Sequence, residues 1–167
     1  MVSVTEAEHL ADALTGFLSR ADNGWFTSFT TAVAGLTAQQ AAWTPGPGFN
    51  SLWGLVEHIW FWQKFFLPLL RGLPEDQQPL RREDDWAPIA DPADEDAWQA
   101  ACRRAVAVNA DLAAYVAGLT DEELAQPYRP GRALRQQAIQ GIIAHNSYHT
   151  CEIISVRHMQ GLWLEET

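Results

Sequence analysis

Two histidines four residues apart, His145 and His149, stand in the run IIAHNSYHTCEII. Four residues advance an α-helix by roughly 400°, so both imidazoles leave one face about a turn apart and can share one ion. They belong to the stripe Ala138, Ile142, His145, His149, Glu152 and Val156, whose steps of four and three mark a core-facing side. A neutral imidazole pair among isoleucines needs hydrogen-bond partners, and a shared metal is a strong reason for the arrangement. A third histidine, His58, lies on the stripe Leu55, His58, Trp62, Phe65 and Leu69, which is apolar on nearly every side. Three imidazoles facing one another leave a divalent ion with open positions for water and substrate, as a catalytic rather than a structural centre requires. Glu152, three residues past His149, is the candidate catalytic group. It could serve as a fourth ligand, a general base or an acceptor orienting an imidazole N–H, or lie exposed at a rim.

Other chemistries are excluded by spacing. A dimetal carboxylate centre needs paired ExxH motifs and further interior glutamates, and only Glu6 with His9 matches, in a capping position. No glutamate follows His145 directly, so the HExxH pattern of zinc proteases is missing. His9 and His158 are expected on the surface, with His158 favoured by the dipole of a helix end. Glu57 points about 100° away from His58 and is expected to face solvent or a subunit contact. Asn146 and Tyr148 are assigned to helix packing. Trp53, Trp60, Phe61, Trp62, Phe65 and Phe66 serve a core and an interface before any pocket wall. Cys102 and Cys151, not spaced as CxxC, are expected to be buried, reduced thiols.

Four helical segments must position these residues. The first is expected from about Thr5 to Ala34, opened by Ser3 with Glu6 or Thr5 with Glu8 as a capping box, with a kink or break at Asp22-Asn23-Gly24. The second runs from about Asn50 to Arg71. The third, about Asp94 to Gly118, carries Trp98, Ala101, Ala105, Val108, Leu112, Tyr115 and Leu119 in unbroken alternation of three and four. The fourth spans about Arg132 to Gln160, ending at Gly161 as a left-handed cap. Four such seams predict one all-α domain over residues 1–167, an antiparallel four-helix bundle. The stretch 72–92 holds Pro74, Pro79, Pro88 and Pro92 and is the long crossover between the second and third helices, its length suggesting a lid or rim. An internal echo, Ala34-Gly35-Leu36-Thr37 and Ala117-Gly118-Leu119-Thr120, suggests two similar halves, each with a capping box at its threonine.

Bulk properties narrow the function. The chain has 167 residues, 47% of them hydrophobic, enough for one sizeable core. A formal charge of −10, with Lys64 the single lysine, argues against nucleic acid as a partner. The N-terminus lacks the pattern of a signal peptide, and no apolar run is long enough for a membrane span. The expectation is a cytoplasmic protein. The second helix, apolar around nearly its whole circumference, predicts a homodimer.

The chain resembles the DinB/YfiT-like superfamily of metal-dependent bundle proteins, unrelated to the similarly named DNA polymerase. The resemblance rests on Gly35-Leu36-Thr37 through Trp43, Pro45 and Gly48, on Leu52-Trp53-Gly54-Leu55-Val56-Glu57-His58-Ile59, and on His145 through Ile153. It implies that His58, His145 and His149 ligate nickel, zinc, manganese or iron. It further implies frequent dimers and, for some branches, transfer or isomerisation using low-molecular-weight thiols such as bacillithiol or mycothiol. Cys151-Glu152 departs from the Gly-Gln or Gly-Glu of many relatives. The function expected is therefore a metal-dependent thiol transferase or hydrolase acting on a small molecule. The alternative is a non-enzymatic, stress-related metal- or ligand-binding bundle.

Overall fold

The computed structural model describes residues 4–20, 25–89 and 91–164. Among these residues seven α-helices follow in chain order: α1 (Glu6–Ser19), α2 (Phe29–Val33), α3 (Ala38–Ala42), α4 (Leu52–Leu70), α5 (Glu95–Ala117), α6 (Asp121–Leu124) and α7 (Arg135–Met159). Among the described residues there is no strand, only one isolated bridge between Pro127 and Leu134. The four long helices form a ring of contacts, α1 against α5 and α7, and α4 against α5 and α7. Among the described residues no helix is long and apolar enough to cross a membrane.

Capping chemistry explains where the helices begin. Thr5 and Glu8 make the capping box that opens α1; the alternative at Ser3 lies outside the described residues. The Ser51 hydroxyl accepts from the Gly54 N–H, and the Asp94 carboxylate from that of Ala97, so α4 and α5 start with a satisfied donor. Both echoed threonines work as expected, Thr37 boxed with Gln40 and Thr120 with Glu123. Gly161, at φ +75°, ends the last helix as its position suggested.

Two boundaries differ from the sequence pattern. The first helix stops at Ser19 instead of continuing towards Ala34. Arg20 turns extended, and its guanidinium folds back over Gly16 to the Asp12 carboxylate at 2.8 Å. Ser28 then caps a separate short helix, its hydroxyl accepting from Thr31 N–H. The break expected at Asp22-Asn23-Gly24 lies outside the described residues. The last helix begins at Arg135 rather than Arg132. Gly131 at φ +71° and the backbone bonds from Tyr128 to Ala133 and from Arg135 to Gln126 close a tight loop first.

Packing holds α4 at the centre of the argument. Leu52, Trp53, Leu55, Val56 and Ile59 share a core with Trp98, Ala101 and Ala105 of α5 and with Ile153 and Val156 of α7. On its other side Phe61, Phe65 and Leu69 form a separate cluster, covered by Leu80 of the connection and by Tyr128. Leu80 and Tyr128 thus cover part of this apolar side, Trp60, Trp62 and Phe66 stay half-buried, and Lys64 is the one exposed position of α4. Polar pins fix alignment. Gln63 and Asn109, both buried, join α4 to α5 through a 2.8 Å bond. Asn50, just before α4, donates to Glu152 of α7, and Arg135 at the start of α7 donates to the Leu70 carbonyl at the end of α4.

Candidate metal centre

His58 of α4 and His145 and His149 of α7 come together as their stripes require. A ligating nitrogen from each lies within 4.8 Å of the other two. The rings converge, with centroids 5.1 Å apart for His58–His145, 4.6 Å for His58–His149 and 4.5 Å for His145–His149. His58 and His149 are buried and His145 half-buried.

Each ring is steered from behind by an oxygen on its Nδ1 side. Nδ1–H of His58 donates to Asp85 Oδ1 at 2.8 Å, and that of His149 to Glu152 Oε2 at 3.1 Å. Nδ1–H of His145 lies 3.4 Å from Asn146 Oδ1, a longer bond. With the proton on Nδ1, every ring offers its Nε2 lone pair to the common space. Nε2 of His145 is 3.2 Å from Nε2 of His58. Nε2 of His149 is buried without a hydrogen-bond partner among the described residues. A buried acceptor left unpaired is unfavourable, and one cation answers all three lone pairs at once. The separation suits it, since two nitrogens on one tetrahedral zinc-like ion stand about 3.3 Å apart. The residues present fit a divalent metal.

Electrostatics favour the neutral rings that ligation needs. Burial, then the neighbouring His149, pushes His145 down to about 4. Burial likewise lowers His149, against the opposing pull of Glu152. The two rings of α7 thus resist protonation beyond free imidazole.

The connection supplies what the sequence pattern missed. Within its charged run 81–85, Asp85 turns inward and holds two residues of α4 with one carboxylate. Oδ1 serves His58, while Oδ2 accepts from the Trp62 indole N–H at 3.0 Å. Trp86 follows at φ +62°, a conformation that is strained for a bulky residue by on the order of 1–3 kcal/mol. It stacks on His58 with ring centroids 4.2 Å apart. The only signal in the sequence was an acidic residue beside a tryptophan in a long loop, and nothing in periodicity connects it to His58.

The remaining candidates sort as follows. Glu152 reaches the site through His149, and its other oxygen accepts from Asn50 at 3.2 Å. Glu57 turns away, pairing with Arg104 at 2.6 Å. Asn146 is buried beside His145, while exposed Tyr148 lies against His149 with centroids 4.1 Å apart. His9 is exposed as expected, but His158 is half-buried against Trp163. Cys151 is exposed rather than buried, because its place on α7 is about 200° round from His149 and faces out. Cys102 is partly buried.

A family model described as the DinB superfamily matches residues 22–152. The chain belongs to the DinB superfamily. That superfamily is metal-binding, and the matched region contains His58, His145 and His149. No curated protein and no solved structure matches the chain significantly. In this DinB superfamily member the Asp85 carboxylate, brought in by the connection between α4 and α5, stands behind His58.

Proposed function

We propose that this DinB superfamily protein is a metal-dependent enzyme that transfers a low-molecular-weight thiol to a small electrophile. The observation that carries the metal part is the set of three imidazoles braced at Nδ1, with Nε2 of His149 buried and unpartnered among the described residues. His58, His145 and His149 would hold nickel, zinc, manganese or iron through Nε2. When bound, such an ion supplies Lewis acidity, drawing the pKa of water or a thiol at an open position towards neutrality. Asp85 and Glu152 keep the Nδ1 protons in place and so hold the ring orientations; Glu152 acts in this reading as a positioning residue. Trp86 covers one face of His58 and keeps water from it.

The nucleophile must come from outside the chain. Burial, then the nearby Glu57 charge, pushes the Cys102 thiol up to about 12, so it stays protonated at neutral pH. Cys151 lies on the far side of α7 from the histidines. The two free thiols fit a reducing, cytoplasmic setting. The bundle reading, antiparallel with the 72–92 crossover arching over the site in one domain, goes with this proposal.

Two measurements test it. Metal content of protein purified without a histidine tag should show about one ion per chain. Conjugation of a chloro-nitroaromatic with bacillithiol, mycothiol or glutathione should proceed with metal-loaded protein and with its double cysteine-to-serine variant, and fail with stripped protein. Turnover in stripped protein would overturn the metal-dependent mechanism. Absence of turnover with every thiol would overturn the transfer reaction.

A further inference from the structure

Beside the histidines lies a cavity of about 290 Å³, bounded by α4, α7 and the loop that precedes α7. His145 is part of its wall, so whatever fills it sits against that member of the triad. The rest of the wall is aromatic or aliphatic, chiefly Trp62, Phe66, Tyr128 and Ile142, and no lining side chain carries a formal charge besides what His145 can take up. The wall is also built rigidly. Asp85 fixes the Trp62 indole through its N–H, and Phe66 packs on Tyr128 with ring centroids 5.2 Å apart.

One position of the wall carries no side chain. Gly141 stands one turn before His145 on α7 and lines the cavity, and a Cβ added there would meet nothing within 4 Å. Glycine inside a helix is unfavourable by about 1 kcal/mol relative to alanine. Its backbone here needs no special conformation, since its φ is not positive. The property that glycine supplies at this place is empty space next to a candidate ligand.

Resting on the metal-site reading above, we infer that this cavity receives the uncharged, flat or apolar part of the substrate, presenting it beside His145. A cavity of about 150 Å³ accepts one benzene ring, so a volume near 290 Å³ suits a two-ring aromatic or an aliphatic group of similar bulk. An anionic group there would gain no cationic partner from the lining itself; the nearby Arg82 guanidinium is engaged over the Trp62 ring, 5.6 Å from its centroid. The polar, reacting end of the molecule points towards the histidines and the hydrocarbon end towards Tyr128.

The experiment measures binding of naphthylmethanol and of naphthoate to the metal-free full chain by calorimetry, so that a carboxylate gains nothing from an ion. It compares the parent with Gly141→Ala and Gly141→Phe, with Gly141→Leu as the second filling variant should the phenylalanine not fold. The neutral probe should bind the parent at least about tenfold more tightly than the anion, and filling Gly141 should weaken it at least about tenfold. Equal binding of probe and anion, or undiminished binding by a folded Gly141→Phe or Gly141→Leu protein, would overturn the inference. Nickel titration of the same proteins separates the two readings. A parent that binds no nickel defeats the metal site and leaves the cavity result standing, while nickel binding kept in Gly141→Phe shows that the substitution acts on the cavity alone.

Discussion

Asp85 and His58 are 27 residues apart and joined at 2.8 Å, a carboxylate from an irregular connection bracing an imidazole from the middle of a helix. Removing such a brace typically weakens metal binding by roughly 10- to 100-fold. Asp85→Ala should show a loss of that size in a nickel or zinc titration, with the helical far-ultraviolet spectrum kept. Asp85→Asn retains an acceptor and should lose less. An alanine variant that binds metal as the parent does would remove Asp85 from the centre.

Ligation should require the three histidines together. His149→Ala deletes the ligand whose Nε2 has no hydrogen-bond partner among the described residues, and should abolish stoichiometric binding without unfolding the protein. Equilibrium dialysis against nickel decides it; tight binding at one ion per chain in the variant would refute the assignment.

Stability of the metal-free protein should fall on acidification. The folded His145 lies near 4, below its unfolded value of 6.5, so between these values the unfolded chain carries more protons. That contribution is complete above about pH 6.5 and is lost as pH drops towards 4. His149, also lowered, acts in the same direction. Urea midpoints taken from pH 7.5 to 4.5 should decline, and His145→Leu should flatten the decline. An unchanged slope in that variant would contradict the shift.

The cysteines should divide by reactivity. A disulfide reagent at neutral pH should label exposed Cys151 quickly and Cys102 only after denaturation. Rapid labelling of both thiols in the folded protein would contradict the burial of Cys102.

The echoed caps should contribute alike. Thr37→Ala and Thr120→Ala each remove a side-chain acceptor from a capping box and should each lower stability by about 1 kcal/mol in urea unfolding. A neutral result at either site would end the parallel between the two halves.

The residues that local rules govern were legible from the chain alone. Stripes of three and four located α4, α5 and α7 to within three residues, and the same stripes put three histidines on facing sides. What periodicity cannot carry is a contact made by irregular backbone. Asp85 lies in a charged run that looks solvated until the chain is folded, and the cover that Leu80 gives to Phe61, Phe65 and Leu69 comes from the same irregular connection. The bond from Arg20 back to Asp12, eight residues away, is another contact that no spacing rule encodes.

Two polar contacts pin α4 to α7 near opposite ends, Asn50 to Glu152 and Arg135 to the Leu70 carbonyl. The histidine triad is a contact across that same seam. Sliding α7 along α4 by one turn, about 5.4 Å, would keep every hydrogen bond inside both helices and leave the circular dichroism unchanged, yet it would carry His145 and His149 past His58. Loss of function through misregistration would thus be invisible to measures of helix content. The pins at Asn50 and Arg135 act as a vernier, holding two ordinary helices at the single offset where three imidazoles meet.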